Sequence, residues 1–168
     1  MSTATNPRLL RLALPKGRMQ DGVLRLLREA GVSITLGART YRPTTSLPDL
    51  DAKMLKPRNI VEMLDVGRRD VVLVGADLVA ERGAALVEVL DTGLDPVQIV
   101  AAAPPAICPD GALLDRPLLI ATEYEQLAAA WVRAQGRDDR LVRSYGSTEV
   151  FPPCLLYTSD AADDLYRG

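Results

Sequence analysis

Four short segments of the chain carry side chains that could bind a substrate. Residues 15–18 (Pro-Lys-Gly-Arg) and 55–58 (Leu-Lys-Pro-Arg) each contain two cations. Residues 75–78 (Gly-Ala-Asp-Leu) supply a carboxylate, and residues 146–149 (Gly-Ser-Thr-Glu) supply hydroxyls, backbone amides and a second carboxylate. The cationic segments suit a phosphate or pyrophosphate, which the amides at the start of a following helix would also attract. Asp77 could hydrogen-bond a sugar hydroxyl or a nucleobase.

Each segment also has an ordinary structural explanation. Lysines and arginines in surface turns are usually only solvated, Asp77 could simply cap a helix, and residues 146–149 could form a capping turn. None of the segments has the specificity of a Walker loop, and the chain has no Gly-x-Gly-x-x-Gly fingerprint. The chain also contains no histidine, which removes the commonest general base and every Ser-His or Cys-His nucleophile pair. Any chemistry must therefore use carboxylates, cations, backbone amides or a metal that the substrate carries.

The four segments all follow runs of residues that predict β-strands. These strands are 9–14, 50–55, 70–75 and 141–145, and the unbroken valine and leucine run of the third predicts a strand buried on both faces. The first three segments lead into predicted helices. Ligands of open α/β sheets collect at the carboxyl ends of the strands, so the elements would place all four segments where a ligand can reach them.

The remaining elements complete an alternation of strands and helices. Further strands are predicted at 32–36, 87–90, 97–103 and 117–122, and residues 40–49 read as a loop. Four helices are predicted, and the first has Val23, Leu26, Leu27 and Ala30 on its apolar stripe and ends at Gly31. The second starts at Pro57, has Ile60, Val61 and Leu64 on its stripe and ends at Gly67, and the third is capped by Asp77 and runs to about Ala85. The fourth spans residues 123–135, has Leu127, Ala130, Trp131 and Ala134 on one face and ends at Gly136. This pattern predicts an α/β protein with parallel sheets.

Composition narrows the class of partner. The net charge is −2 and no block of like charges occurs, so nothing indicates a nucleic-acid or membrane surface. The first apolar run, 9–14, is too short for a membrane span and lacks the layout of a signal peptide. Cys108 and Cys154 are far apart, without metal-binding or disulfide spacing. We therefore expect a cytoplasmic protein with a small-molecule partner.

Six segments, taken in order along residues 9–153, resemble the ATP phosphoribosyltransferase family. They are LALPKGRM with LLREAG, MLKPRNI, GRRDVVLVGADLVAE, VEVLDTGL, IATEY and YGSTEVFPP. The chain departs from the family pattern at three places. Asn59 replaces an Asp, Val72 and Leu73 replace a Gly-Ile pair, and Ala76 replaces a residue that is often charged, so the local polar contacts at Asn59 and Ala76 are in doubt.

The resemblance implies a two-lobe fold like that of type II periplasmic binding proteins, with parallel-rich mixed sheets and an incomplete C-terminus. The first lobe would be residues 1–93, without its return segment, and the second, partial lobe would be residues 94–153. It implies a Mg²⁺-dependent reaction in which N1 of adenine in ATP displaces pyrophosphate from 5-phosphoribosyl 1-pyrophosphate, the first step of histidine biosynthesis. Nucleophile and leaving group both belong to the substrates, so the protein would orient them and neutralise charge, and no acid or base is assigned.

Carried over to this sequence, the family's substrate-binding positions fall in the four segments. Lys16 and Arg18, with Gly17 between them, would bind a pyrophosphate or triphosphate, and Lys56 would make a second anionic contact. Asp77 and Leu78, after Gly75, would bind the nucleotide. Glu149 would position adenine or ribose, beside Ser147 and Thr148. No metal ligand is predicted, because Mg²⁺ would arrive with the substrate phosphates.

The context of Lys56 and the KGRM motif resemble the short form of the family. That form implies a homodimer and a separate regulatory subunit related to histidyl-tRNA synthetase. The alternative class is a non-catalytic small-ligand binding domain with the same two-lobe fold. The lack of a signal peptide and of a DNA-binding helix pair weakens this alternative, and the paired cations favour phosphorylated ligands.

Residues 154–168 (CLLYTSDAADDLYRG) differ abruptly from what precedes them. They have the periodicity of neither a helix nor a strand and resemble the translation of a sequencing-library adapter, so we expect them to be poorly anchored. The alternative is a native tail of unusual composition. The family's Asp-x-x-x-Ser-Thr-Gly-x-Thr phosphate loop is absent from the sequence, so the chain as given is expected to fold incompletely and to be inactive.

Overall fold

The computed structural model describes residues 9–37 and 41–145, and the backbone of residues 155–158. The chain divides into two compact units, Met1–Asp95 and Pro96–Gly168. The division falls after Asp95, whereas the sequence predicted the first lobe to end at residue 93. The arrangement of the two units about a cleft stays a prediction.

Unit 1 is built on a three-stranded parallel sheet with the strand order β4-β1-β5. A separate antiparallel pair joins β2 to β3. The strands are β1 (Leu10–Pro15), β2 (Ile34–Thr35), β3 (Thr44–Thr45), β4 (Leu50–Leu55) and β5 (Val71–Val72), and the helices are α1 (Gln20–Glu29), α2 (Pro57–Asp65) and α3 (Ala76–Arg82).

Successive residues of the central strand β1 face opposite sides of the sheet, and both sides are covered. Leu12 and Leu14 belong to a cluster with Val23 of α1, while Ala13 belongs to a cluster with Ile60 of α2. Full burial of an aliphatic side chain contributes roughly 1.5–3 kcal/mol, so these contacts fix β1 in the middle of the unit. The predicted limits of β1, α1, β4 and α2 are confirmed to within a few residues, including the glycine ends at Gly31 and Gly67, which have φ values of 83° and 67°.

Charged side chains hold the amino-terminal edge of this sheet together. Arg11 of β1 binds Asp70 through its Nε at 3.0 Å and a terminal nitrogen at 2.6 Å, and its backbone N–H also donates to Asp70. The hydrogen bond to Asp70 raises the pKa of Arg11. Arg69, which is buried, donates to Asp51 of β4 at 2.8 Å. These pairs tie the residues that precede β5 to both other strands.

Three of the predicted strands in unit 1 differ from the structure. Residues 70–75 form only the two-residue edge strand β5, and its Val71 is 41% exposed, because β5 pairs with β1 on one side alone. Residues 32–36 form only the short strand β2, and the predicted loop 40–49 contains its partner β3. Residues 87–90 form no strand, and Val87 and Val89 are each 87% exposed, since no neighbouring strand supplies ladder hydrogen bonds to this alternating sequence.

Unit 2 contains a four-stranded mixed sheet with the strand order β6-β9-β7-β8. Strand β7 pairs in parallel with β8 and β9, and β6 pairs antiparallel with β9. The elements are β6 (Ile99–Ala102), a short 3₁₀ turn (Pro109–Gly111), β7 (Leu119–Thr122), α4 (Glu125–Ala134), β8 (Arg140–Arg143) and β9 (Leu155–Thr158). The predicted α/β class with parallel-rich mixed sheets is confirmed.

The predicted apolar face of α4 is confirmed only in part. Trp131 is half-buried and packs against the core cluster of unit 2, whereas Ala130 and Ala134 are exposed. The buried residues of the helix are Ala128 and Val132, which the prediction left out. The helix therefore contacts the core through a stripe that lies beside the predicted one and shares Trp131 with it.

A buried ion pair fixes the loop between α4 and β8. The side chain of Asp139 is fully buried and accepts hydrogen bonds from Arg137 Nε at 2.6 Å and from the backbone N–H of Leu118 at 2.8 Å. Arg137 also donates to the backbone carbonyls of Leu114 and Arg116. The hydrogen bond from Arg137, helped by the bond from Leu118, lowers the pKa of Asp139 against the opposing effect of burial.

Residues 155–158 form a strand, although the sequence of residues 154–168 shows no strand periodicity. They form β9, which lies between β6 and β7. Both neighbouring strands offer backbone hydrogen-bonding groups at this position, and any extended segment can pair with them whatever its side chains. Whether the segment is native or adapter-derived stays a prediction. No helix in the described part of the chain combines the length and apolarity needed to cross a membrane.

Candidate substrate site

Three of the four predicted segments lie at one edge of the unit 1 sheet. Strands β4, β1 and β5 are parallel neighbours, so their carboxyl ends lie side by side. Lys56 follows β4, and residues 16–18 follow β1. The backbone N–H of Lys16 donates to the carbonyl of Leu55 at 2.8 Å, which makes the two cationic segments direct neighbours. On the other side of β1, the N–H of Leu73 donates to the carbonyl of Ala13 at 3.1 Å. Residues 75–78 follow shortly after this contact in the sequence.

Lys16 is held against an aromatic ring that the sequence analysis did not single out. Its Nζ lies 3.7 Å from the centroid of the Tyr41 ring. The ring is 62% exposed, and the carbonyl of Tyr41 accepts a hydrogen bond from the N–H of Met54 at 2.8 Å. Residues 40–49 read as a plain loop, and only the pairing of this loop with the end of β4 brings Tyr41 to Lys16. No local pattern in the sequence carried that information.

The turn that follows Lys16 depends on a glycine. Gly17 has a φ of 90°, a conformation that residues with a Cβ rarely adopt, and its carbonyl accepts a hydrogen bond from the N–H of Gln20 at 3.0 Å. This tight turn starts α1 immediately after the cations. Arg18 is exposed, and its Nε binds the carboxylate of Asp95 at 2.9 Å. Asp95 was not predicted as part of the site.

Lys56 is exposed and is the N-cap residue of α2. Pro57 occupies the first turn, where its missing N–H removes no helical hydrogen bond. The first turn contains no acidic side chain, so the positive end of the helix dipole is not neutralised there by α2 itself. Helix and lysine therefore both favour an anion at the carboxyl end of β4.

Gly75 and Asp77 form a close pair at the start of α3. Gly75 is the N-cap residue, so Asp77, which was predicted to cap this helix, does not occupy the N-cap position. Asp77 lies inside the first turn, and its Oδ1 packs against Gly75 so closely that a Cβ there would collide with it. The N–H of Leu78 donates to the carbonyl of Gly75 at 3.2 Å. The glycine thus leaves space for the carboxylate, and the segment follows β5, the neighbour of β1 in the same sheet.

The fourth segment lies in unit 2. Ser147, Thr148 and Glu149 lie outside the described residues, which reach Tyr145 just before them. Ser144 is buried, and its N–H donates to the carbonyl of Thr122 at 2.9 Å. Arg143 pairs with Glu125 at 3.3 Å and lies 5.2 Å from the centroid of the exposed Tyr145 ring. In the described residues of both units, no three acidic or cysteine side chains cluster as metal ligands would.

The fold and these loops define an α/β protein that carries its polar segments at the carboxyl ends of parallel strands. Its structure is similar to the solved ATP phosphoribosyl transferase (HisG:HisZ) complex from Thermotoga maritima, with a TM-score of 0.77 and 21% identity over 94% of this chain and 78% of that one. This likeness concerns the fold.

Sequence comparison identifies the family. The chain is 32% identical over 154 residues to the ATP phosphoribosyltransferase of Chlorobium phaeovibrioides, and 33% identical over 165 residues to that of Desulforudis audaxviator. These matches cover 88% and 93% of this chain and 52% and 55% of the relatives, so the chain spans about half the length of the curated relatives it matches. The model of the HisG family, ATP phosphoribosyltransferase, matches residues 56–166. The chain belongs to the ATP phosphoribosyltransferase family.

Proposed function

We propose that this protein acts in the catalytic part of an ATP phosphoribosyltransferase. In the proposed reaction, N1 of adenine forms a bond to the anomeric carbon of 5-phosphoribosyl 1-pyrophosphate as the bond from that carbon to pyrophosphate breaks. Pyrophosphate leaves with the electron pair, and N1-(5-phosphoribosyl)-ATP is formed, the first intermediate of histidine biosynthesis. The observation that carries this proposal is the direct contact between the two cationic segments: the backbone N–H of Lys16 donates to the carbonyl of Leu55, the residue before Lys56. The chain in which this contact occurs belongs to the ATP phosphoribosyltransferase family.

Charge neutralisation is the main task of these residues. Both substrates are polyphosphates, and bringing them together places like charges at close range. Lys16, Arg18 and Lys56 offset that repulsion, and each charge-assisted hydrogen bond to a phosphate contributes about 1.5–3 kcal/mol. Because Arg18 binds Asp95, a phosphate would share the guanidinium or displace the carboxylate. The leaving pyrophosphate is then stabilised without a proton donor, which agrees with a chain that has no histidine.

The remaining proposed contacts concern the nucleotide. Asp77, held against Gly75, would accept a hydrogen bond from a sugar hydroxyl or from adenine, and Leu78 would pack beside it. Glu149, with Ser147 and Thr148, would position adenine or ribose. Holding N1 and the anomeric carbon in line is itself a large contribution to rate, because it replaces an encounter with a fixed geometry.

ATP phosphoribosyltransferases generally use a divalent metal ion. We take it to be Mg²⁺, bound by the substrate phosphates and brought in with them as part of the substrate. The exposed cations of this edge suit the outer oxygens of a polyphosphate that is partly neutralised by such an ion.

The proposed assembly is a homodimer that binds a separate regulatory subunit related to histidyl-tRNA synthetase. The fold likeness to a complex that contains HisG and HisZ supports this proposal, as does the short-form context of Lys56. The proposed location is the cytoplasm. No nucleic-acid or membrane partner is proposed.

The test is a kinetic comparison of Lys16→Ala with the unchanged protein, in the gene product at the full length of its relatives. Formation of phosphoribosyl-ATP is followed with Mg²⁺ present. Loss of the Lys16 contact is expected to lower kcat/KM for one or both substrates by about 10- to 150-fold. Arg25→Ala, which removes an exposed cation from α1, is the matched control and should leave kcat/KM unchanged. An unchanged kcat/KM in Lys16→Ala would remove Lys16 from the site.

A further inference from the structure

We propose that Tyr41 is a positioning residue for Lys16: its ring holds the lysine ammonium at the carboxyl edge of the sheet before a phosphate arrives. The inference rests on the proposed function, in which Lys16 binds a substrate phosphate. It adds a residue from a segment to which the sequence assigned no role.

The two side chains are anchored on the same strand. The backbone of Lys16 is bonded to Leu55, and the backbone of Tyr41 is bonded to Met54, so consecutive residues of β4 fix both partners. Pro43, two residues further on, is buried and holds the same stretch against unit 1. The 3.7 Å approach of Nζ to the ring centroid is therefore set by the sheet. It does not require the rest of the loop to adopt a particular shape.

The geometry leaves the ammonium able to bind a ligand. A lysine ammonium has three N–H donors, and a ring face takes up only one side of it. A free lysine side chain populates many rotamers, and ordering it opposes binding. The ring removes part of that cost in advance, because it restricts Lys16 to positions over its face. The ring is 62% exposed, so the ammonium at its face lies near solvent, from which a phosphate would come.

The interaction uses the ring face and not the hydroxyl. Tyr41→Phe should therefore keep it, whereas Tyr41→Leu should lose it with a similar apolar volume. A cation–π contact of an exposed pair corresponds to a roughly two- to five-fold change in affinity. We expect Tyr41→Leu to weaken binding of the Lys16 ligand by this factor and Tyr41→Phe to retain the affinity of the unchanged protein.

The experiment is a double-mutant cycle with inorganic pyrophosphate as the probe, measured by calorimetry on the gene product at the full length of its relatives, as in the kinetic test of Lys16. The variants are Tyr41→Leu, Tyr41→Phe, Lys16→Met and the double variant Lys16→Met/Tyr41→Leu. The expected result is weaker binding in Tyr41→Leu, retention in Tyr41→Phe, and no further loss when Tyr41→Leu is added to Lys16→Met. In the free protein, the NMR signals of the Lys16 ε-methylene should show an upfield ring-current shift that Tyr41→Leu removes and Tyr41→Phe keeps.

The outcomes separate the two proposals. If Lys16→Met binds pyrophosphate as well as the unchanged protein, the assignment of Lys16 to the phosphate site fails. If Lys16→Met weakens binding but Tyr41→Leu does not, the phosphate site stands and the role of Tyr41 is refuted. Equal losses from Tyr41→Leu with and without Lys16 would also refute it, because Tyr41 would then act independently of the lysine. Absence of the ring-current shift would refute the holding contact itself.

Discussion

Replacement of Asp139 by alanine should destabilise unit 2 through the loss of one buried ion pair. The carboxylate is fully buried and accepts hydrogen bonds from the Arg137 guanidinium, through Nε at 2.6 Å and NH2 at 3.0 Å, and from the N–H of Leu118 at 2.8 Å. Removing one partner of a buried pair costs about 3–5 kcal/mol. Arg137 is 16% exposed and keeps its bonds to Leu114 and Arg116, so part of its charge stays solvated or bonded. The lower end of that range, about 3 kcal/mol, is therefore expected.

Urea unfolding followed by the fluorescence of Trp131, the single tryptophan of the chain, measures this change within unit 2. With a slope of roughly 1.5 kcal/mol per molar urea, the midpoint should fall by about 2 M. Asp138→Ala removes an exposed carboxylate from the neighbouring position and is the matched control, with an expected change below about 0.5 kcal/mol. Equal shifts in the two variants would show that general charge, and not the bonded geometry of Asp139, determines the stability.

Three further changes follow from the structure. The pKa of Asp139 is lowered on folding, so the stability that its carboxylate contributes is present above the unfolded pKa of about 4 and is lost as the pH falls through the lower folded pKa. The urea midpoints of the unchanged protein and of Asp139→Asn should therefore converge only below pH ~4. A difference between the midpoints that stays constant down to pH ~2 would contradict this prediction. Leu14→Ala should lower the free energy of unfolding by about 3 kcal/mol, because the side chain is wholly buried. Leu10→Ala, on the same strand and 45% exposed, should lower it by less than about 1 kcal/mol. Similar hydrogen-exchange protection of β1 in both variants would refute the assigned core face. Gly75→Ala should weaken ATP binding, because the new Cβ displaces the Asp77 carboxylate, and should leave the melting temperature nearly unchanged. Its control is Gly22→Ala, whose new Cβ would meet only the Leu94 side chain at an ordinary 3.6 Å. An unaltered ATP affinity in Gly75→Ala would exclude Asp77 from the nucleotide site.

The sequence predicted the elements whose signals are local. In each of these elements, a few neighbouring residues determine the backbone conformation. Examples are the apolar alternation around Leu12 and Leu14, the proline at the start of α2 and the glycines that end the helices. For the same reason the sequence alone predicts that the three segments after β4, β1 and β5 lie at one sheet edge.

The differences arise where long-range pairing decides the outcome. Val71 and Val72 have the same apolar character whether their strand is central or at an edge, and Val87 alternates like a strand although no neighbour pairs with it. The contact of Tyr41 with Lys16 and the ion pair of Arg18 with Asp95 join residues far apart in sequence, and neither has a local signature. The buried side chains of α4 are Ala128 and Val132, and which stripe of a helix faces the core depends on the sheet it packs against, so the apolar pattern of residues 123–135 alone did not select them.

The order of pairing along the chain has a consequence for synthesis. The strands β1, β4 and β5, which place Lys16, Lys56 and Gly75, have all been synthesised once residue 72 has been made. In unit 2, by contrast, β6 has no hydrogen-bonded neighbour in the described sheet until residues 155–158 arrive, because its pairing runs from Ile99 to Thr158. During synthesis, the cationic edge of unit 1 can therefore form before residues 155–158 of the second sheet have been made. Strand β6 would stay unpaired, and open to chaperone binding, for longer than any strand of unit 1.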